Sequence, residues 1–129
     1  MENTPVVERI RAIIDECPES NMSLSEMADS IGISVYYMSH IFKKTTSVTI
    51  IGYRTSKRID KARELLVTTR LSVTEIAYAC GFSSQGYFSE RFVKTCGISP
   101  SAYRQSFISA LSTGQYIVVP ELSYTAFIT

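Results

Sequence analysis

The side chains best placed to do chemistry in this 129-residue chain fall in two short runs. Tyr36, Ser39, His40 and Lys43 recur at steps of three and four. Gln85, Gly86, Ser89, Glu90 and Val93 do the same further on, with Arg91 on the flank. At about 100° per residue, Ile41 and Phe42 lie within about 60° of Met38, while Tyr36, Ser39, His40 and Lys43 lie roughly 100° to 200° away. One face of such a helix is apolar; the other carries hydroxyls, an imidazole and an amine. These groups suit hydrogen bonding to base edges and phosphates in a major groove. Bond-making chemistry has little support, because His40 is the only histidine and neither a Gly-x-Ser-x-Gly turn nor a phosphate-cradling glycine loop occurs. His40 lacks a partner ligand for a metal, so the sequence predicts no catalytic role, no cofactor and no metal.

The second run is chemically poorer. Glu90 can accept from a cytosine amino group but repels phosphates, and Val93 offers a contact to a thymine methyl. The expected division gives base reading mainly to Tyr36, Ser39 and His40, with Gln85, Gly86, Ser89 and Glu90 as the weaker set. Phosphate contacts fall to Ser34, Lys43 and Lys44 in the first run and to Ser83, Ser84, Arg91 and Lys94 in the second.

The elements that position these residues are duplicated. Ser23-Leu-Ser-Glu-Met-Ala-Asp-Ser-Ile-Gly-Ile-Ser34 overlays Ser72-Val-Thr-Glu-Ile-Ala-Tyr-Ala-Cys-Gly-Phe-Ser83. After one extra residue, Ser84, the match continues through Tyr37 and Tyr87, Ser39 and Ser89, Phe42 and Phe92, Lys44 and Lys94. Ser23-x-x-Glu26 and Ser72-x-x-Glu75 are capping boxes that open a helix. Gly32 and Gly81 end it, Ile33 and Phe82 plug the corner, and Ser34 and Ser83 are the expected caps of the next helix. Each copy reads as a helix-turn-helix.

Val6, Val7, Ile10, Ile13, Ile14 and Cys17 predict a first helix. Between the copies, Ile51, Thr55, Ile59, Ala62 and Leu66 predict a linker helix over about residues 50 to 66, with Arg54, Lys57 and Lys61 on its other side. Ser99-Pro100 opens a last helix to about Phe107. The fold class is therefore all-α, with about seven helices: a helix-turn-helix subdomain over residues 1–48, a linker helix over 49–67, and a second subdomain over 68–107. Residues 108–129, with Gly114 and Pro120 as breakers around a β-prone Tyr116-Ile-Val-Val119, are expected to be mobile or loosely packed, the alternative being an added strand or a partner contact.

The net charge is only +1, yet it is segregated. Residues 1–33 carry two basic against seven acidic side chains, a net of −5, whereas residues 34–107 carry eleven against four, a net of +7. A body this basic points to a polyanion. The start has no basic segment leading into an apolar run, no stretch could span a bilayer, and three widely spaced cysteines make no disulfide framework; a cytoplasmic protein is expected. Cys17 and Cys80 are read as core.

The segment from Val6 to Phe107 resembles the DNA-binding domain of the AraC/XylS family of bacterial transcription regulators. The match rests on Ser23-Leu-Ser-Glu-Met-Ala, Ile41-Phe-Lys-Lys44, Lys57-Arg-Ile-Asp-Lys-Ala-Arg-Glu-Leu-Leu66, Glu75-Ile-Ala-Tyr-Ala-Cys-Gly-Phe-Ser83, Tyr87-Phe-Ser89, Arg91-Phe92 and Gly97-Ile-Ser-Pro-Ser-Ala-Tyr103. The resemblance implies promoter binding through two recognition helices, with activation through contact with RNA polymerase. Three departures stand out: Ser47 where many members have glycine, Glu90 where a basic residue is common, and only about 22 residues ahead of the first unit, where the family's larger members carry a ligand-sensing and dimerisation domain. The chain is thus either a small stand-alone member of the MarA and SoxS kind or the DNA-binding part of a longer regulator. A linker helix of roughly 25 Å against a groove repeat of about 34 Å predicts a monomer on an asymmetric, bent site of roughly two turns. The alternative is a helical interaction module that binds polymerase or another regulator without specific DNA contact.

Overall fold

The structure, a computed structural model, describes residues 4–113, 117–118 and 125–126. Among these residues seven helices follow one another: α1 Thr4–Glu16, α2 Leu24–Ile31, α3 Val35–Thr46, α4 Ile50–Thr68, α5 Val73–Ala79, α6 Gln85–Cys96 and α7 Pro100–Thr113. Two-residue strands, β1 Ile117–Val118 and β2 Thr125–Ala126, pair antiparallel, Ile117 opposite Ala126. The chain divides inside α4 into two compact units, Met1–Lys57 and Arg58–Thr129. Among the described residues no helix is long and apolar enough to cross a membrane.

Local sequence explains where the helices start and stop. Both capping boxes form: Ser23 Oγ accepts from Glu26 N at 3.0 Å while Ser23 N donates to Glu26 Oε1 at 2.8 Å, and Ser72 and Glu75 repeat the pair at the same distances. Gly32 and Gly81 take φ of 86° and 97°, a region closed to most side chains. The chain then turns back, with Ile33 N donating to Ala28 O and Phe82 N to Ala77 O.

Each unit has its own core. In the first, Val7, Ile10 and Ile14 of α1 pack with Met27, Ala28, Met38, Phe42 and Ile50. In the second, Ile59, Ala62 and Leu66 of α4 pack with Ile76, Ala77, Cys80, Phe82, Phe88 and Phe92. Helix α4 therefore buries two stripes, and the single stripe read from the sequence is wrong at its start: Ile50 is buried and Ile51 is 45% exposed. Period alone cannot reveal that one helix serves two cores.

Three further readings are corrected. Ser84, not Ser83, caps α6, its Oγ accepting from Tyr87 N at 3.2 Å, because the inserted residue lengthens the second turn before the helix starts. Helix α7 continues past Phe107 to Thr113, since Ile108-Ser-Ala-Leu-Ser-Thr113 contains neither glycine nor proline to stop it. Cys17 is exposed, lying just beyond the end of α1, with Sγ donating to Glu19 Oε2 at 3.1 Å; Cys80 is buried. The expectation of a mobile tail falls, for residues 114–116, 119–124 and 127–129, outside the described residues.

Candidate nucleic-acid interface

In each unit the second helix of the helix-turn-helix is held by its apolar face. Met38, Ile41 and Phe42 fix α3, and Phe88 and Phe92 fix α6. The caps match in kind: Ser34 Oγ accepts from Tyr37 N at 3.0 Å as Ser84 Oγ does from Tyr87 N. From Ser34 to Ile50 and from Ser84 to Pro100, burial coincides position for position, except that buried Ile41 is replaced by half-buried Arg91.

The opposite face carries the expected residues. On α3, Tyr36 is 79% exposed and its ring stacks on His40, with centroids 5.9 Å apart and planes 12° from parallel. Ser39 beside them is half-buried, and Lys43 and Lys44 are exposed in the last turn. Lys43 Nζ donates to Ser47 O at 3.3 Å. On α6, Gln85 Nε2 donates to Ser89 Oγ at 3.3 Å, Gly86 and Glu90 are exposed, and Val93 is 44% exposed. Ser83, Ser84 and Lys94 are exposed. Arg91 lies deeper than a flank position suggests: its Nε is buried, without a hydrogen-bond partner among the described residues.

Several positioning residues lie outside the sequence-predicted set. Tyr53 packs edge-on against Phe42 at 5.6 Å, and Tyr103 packs edge-on against Phe92 at 5.6 Å. The next residue in each unit reaches back to a main-chain carbonyl: Arg54 NH1 donates to Met22 O at 2.6 Å, and Arg104 Nε donates to Leu66 O at 2.9 Å and NH2 to Thr69 O at 3.3 Å. Thr49 and Ser99 open the helices that carry them, their hydroxyls accepting from Gly52 N and Ala102 N. The repeat thus runs on at an offset of fifty through Thr49/Ser99, Tyr53/Tyr103 and Arg54/Arg104, the sequence signal that identifies them. Arg54 and Lys57, expected on the outer side of the linker helix, instead tie down the first unit. Lys57 Nζ lies 3.8 Å from Asp15 and over the Tyr53 ring, and Tyr53 OH donates to Asp15 Oδ1 at 2.7 Å. Burial, that hydrogen bond and the Asp15 charge hold the Tyr53 phenol far above its ordinary pKa, and burial lowers that of Arg54. In the second unit Arg58 NH1 donates to Gly81 O at 2.9 Å, fixing the turn ahead of α6.

Paired helix-turn-helix units, each offering an exposed polar stripe from a rigidly held second helix, define a DNA-binding domain of the double helix-turn-helix class. Residues 27–106 match the family model described as a helix-turn-helix domain. The chain belongs to the AraC/XylS family of DNA-binding transcription regulators. It is 33% identical over 99 residues to the arabinose operon regulatory protein of Escherichia coli (strain K12), covering 77% of this chain and 34% of that one. It is 31% identical over 104 residues to the transposon Tn10 TetD protein of Escherichia coli, covering 81% of this chain and 75% of that protein. Among solved structures, the DNA-binding domain of the global transcriptional factor AdpA, in complex with a target DNA, matches with a TM-score of 0.76 at 25% identity, over 84% of this chain and 97% of that one. The chain spans about a third of the length of several curated relatives that it matches. The likenesses are to DNA-binding regulators and lend no support to the interaction-module alternative.

Proposed function

We propose that the exposed stripes of α3 and α6 read promoter DNA in the major groove, and that the chain binds as a monomer and activates transcription through contact with RNA polymerase. The observation that supports this most is the pairing of a buried apolar face with an exposed polar stripe on each of these helices. On this reading Tyr36, Ser39 and His40 supply most of the base contacts in a first half-site. Gln85, Gly86, Ser89 and Glu90 face a second half-site with less chemistry. Ser34, Lys43, Lys44, Ser83, Ser84, Lys94 and the terminal nitrogens of Arg91 contact phosphates. The hydroxyl oxygens of Ser34 and Ser84 are already acceptors within their caps, and their hydroxyl protons are the groups left for a phosphate oxygen. The unlike stripes favour an asymmetric site rather than a palindrome.

Selection of bound sequences from a random duplex library, followed by titration against salt, tests the reading. A preferred site without two-fold symmetry, bound by one chain, is expected, with affinity falling steeply as salt rises. Lys43→Ala is expected to weaken binding to all sequences and to reduce the salt slope by about one. Tyr36→Ala and His40→Ala are expected to relax base preference more than Gln85→Ala and Glu90→Ala. A flat salt response, a symmetric dimer footprint or the reverse order of the alanine effects would each refute the part it addresses.

A further inference from the structure

Helices α3 and α6 are one scaffold bearing different readers. Their caps and exposed positions coincide, as do their buried positions apart from Ile41 and Arg91, and a tyrosine of the following helix packs on each, Tyr53 on Phe42 and Tyr103 on Phe92. Along the reading stripe Tyr36 corresponds to Gly86, Ser39 to Ser89 and His40 to Glu90. The serine is common to both helices and equally half-buried, although on α6 its Oγ also accepts from Gln85 Nε2. Besides Val35/Gln85 and Lys43/Val93 at its ends, what differs along the stripe is the pair on either side of it. On α3 that pair is a phenol stacked on an imidazole in the free protein. On α6 the first of the two places is vacant space: a Cβ added at Gly86 meets no atom within 4 Å.

We propose that the Tyr36–His40 stack is a single reading unit that sets the base preference of the first half-site, and that it is transferable to α6 through Gly86→Tyr together with Glu90→His. The proposal rests on the DNA reading given above. Its physical basis is preorganisation. Two rings already stacked at a spacing of i and i+4 have less rotamer freedom to lose on binding, so they meet a base pair as one surface. That surface has apolar ring faces matched to a thymine methyl and polar edges, phenol and imidazole, matched to purine acceptors. Glycine at position 86 supplies no side chain, and the Glu90 carboxylate faces the nucleic acid with the charge of the phosphates, so α6 lacks this surface because of two side chains rather than its backbone.

The test is sequence selection from a random duplex library by the intact chain, compared with Gly86→Tyr/Glu90→His and with Gly86→Ala/Glu90→Ala. The transplant is expected to give the second half-site the base preference of the first. A mismatched base there then weakens binding about tenfold, and the alanine control shows no such change. A second half-site that stays as in the wild type, or acquires a preference unrelated to the first, overturns the proposal. A wild type that selects no sequence defeats the DNA reading itself, which separates the two failures. Should the transplant melt below the wild type and fail to bind, α3 decides. Acting as one unit, His40→Ala alone must remove as much first-half-site preference as Tyr36→Ala/His40→Ala, and additive losses refute the idea.

Discussion

Ser47 and Gly97 occupy the same place in the two units, the residue that ends the second helix of each helix-turn-helix, and they offer a controlled exchange. Ser47 has φ 69° and ψ 4°; Gly97 has φ 86° and ψ −14°, and each N–H closes the helix on a carbonyl four residues back at 2.8 Å. Ser47 is the one described residue other than glycine with positive φ. A side chain in this region costs about 1–2 kcal/mol through the approach of Cβ to the following carbonyl. Glycine escapes that cost but surrenders about 0.5–1 kcal/mol of extra backbone freedom on folding. The balance for Ser47→Gly is a stabilisation of the first unit by about 0.5–1 kcal/mol. Gly97→Ser is expected to destabilise the second by a similar amount, with no added clash from the rest of the fold, since a Cβ there meets nothing within 4 Å beyond its chain neighbours. At about 4 °C per kcal/mol, both shifts are measurable by thermal melting, and urea midpoints at unchanged slope give the same result. Ser47→Gly that lowers stability, or Gly97→Ser that leaves it unchanged, would refute the argument, because both outcomes require tertiary contacts that the structure does not place there.

Two further outcomes follow from groups that tie helices together. Tyr53→Phe removes the hydrogen bond to Asp15 and is expected to cost about 1 kcal/mol at neutral pH. Because the folded phenol is raised above its ordinary value of 10, the unfolded chain loses that proton first. Stability contributed by Tyr53 is therefore complete below pH 10 and falls as pH rises beyond it, so alkaline titration of unfolding must show a steeper loss in the wild type than in the variant. Arg104→Met keeps an unbranched, flexible stem but abandons the carbonyls of Leu66 and Thr69; a loss of about 2–3 kcal/mol in the second unit, measured by urea unfolding, is expected, and a change within 0.5 kcal/mol would show those bonds to be dispensable.

The duplicated unit, its capping boxes and the apolar faces of both recognition helices are readable in the residues because they depend on local spacing. Ser23, Ser72 and Gly32 act on neighbours a few positions away, and the structure finds each in that role; Gly81 takes positive φ one residue after Cys80, which caps α5. The misreadings of the linker helix and of Arg91 share a cause in contacts made across long sequence separations. Ile50 rather than Ile51 is buried because it joins the first core, whose other members come from α1, α2 and α3, and periodicity within the linker helix does not encode that. Arg54 and Lys57 look like solvent-facing charges until Met22 and Asp15 are brought beside them. Arg91 reads as a surface cation, yet it is half-buried at the position that buried Ile41 takes in the first unit. The cap at Ser84 is a subtler case, since the inserted residue is visible in the repeat and only its effect on the helix start is not. At the candidate interface, the identities on the two stripes are plain from the sequence; the stacking of Tyr36 on His40 and the open space at Gly86 required the fold.

Helix α4 completes one core with Ile50 and the other with Ile59, Ala62 and Leu66. Alone, either half would be too short to persist in water, because a new helix must first form a costly nucleus. When one unit opens, however, its half of α4 remains a continuation of turns still packed in the other, and extending an existing helix needs no nucleus. Amide protons near Lys57 and Arg58 should therefore exchange at a rate governed by the more stable unit, and the protection pattern along this one helix would record which unit opens first.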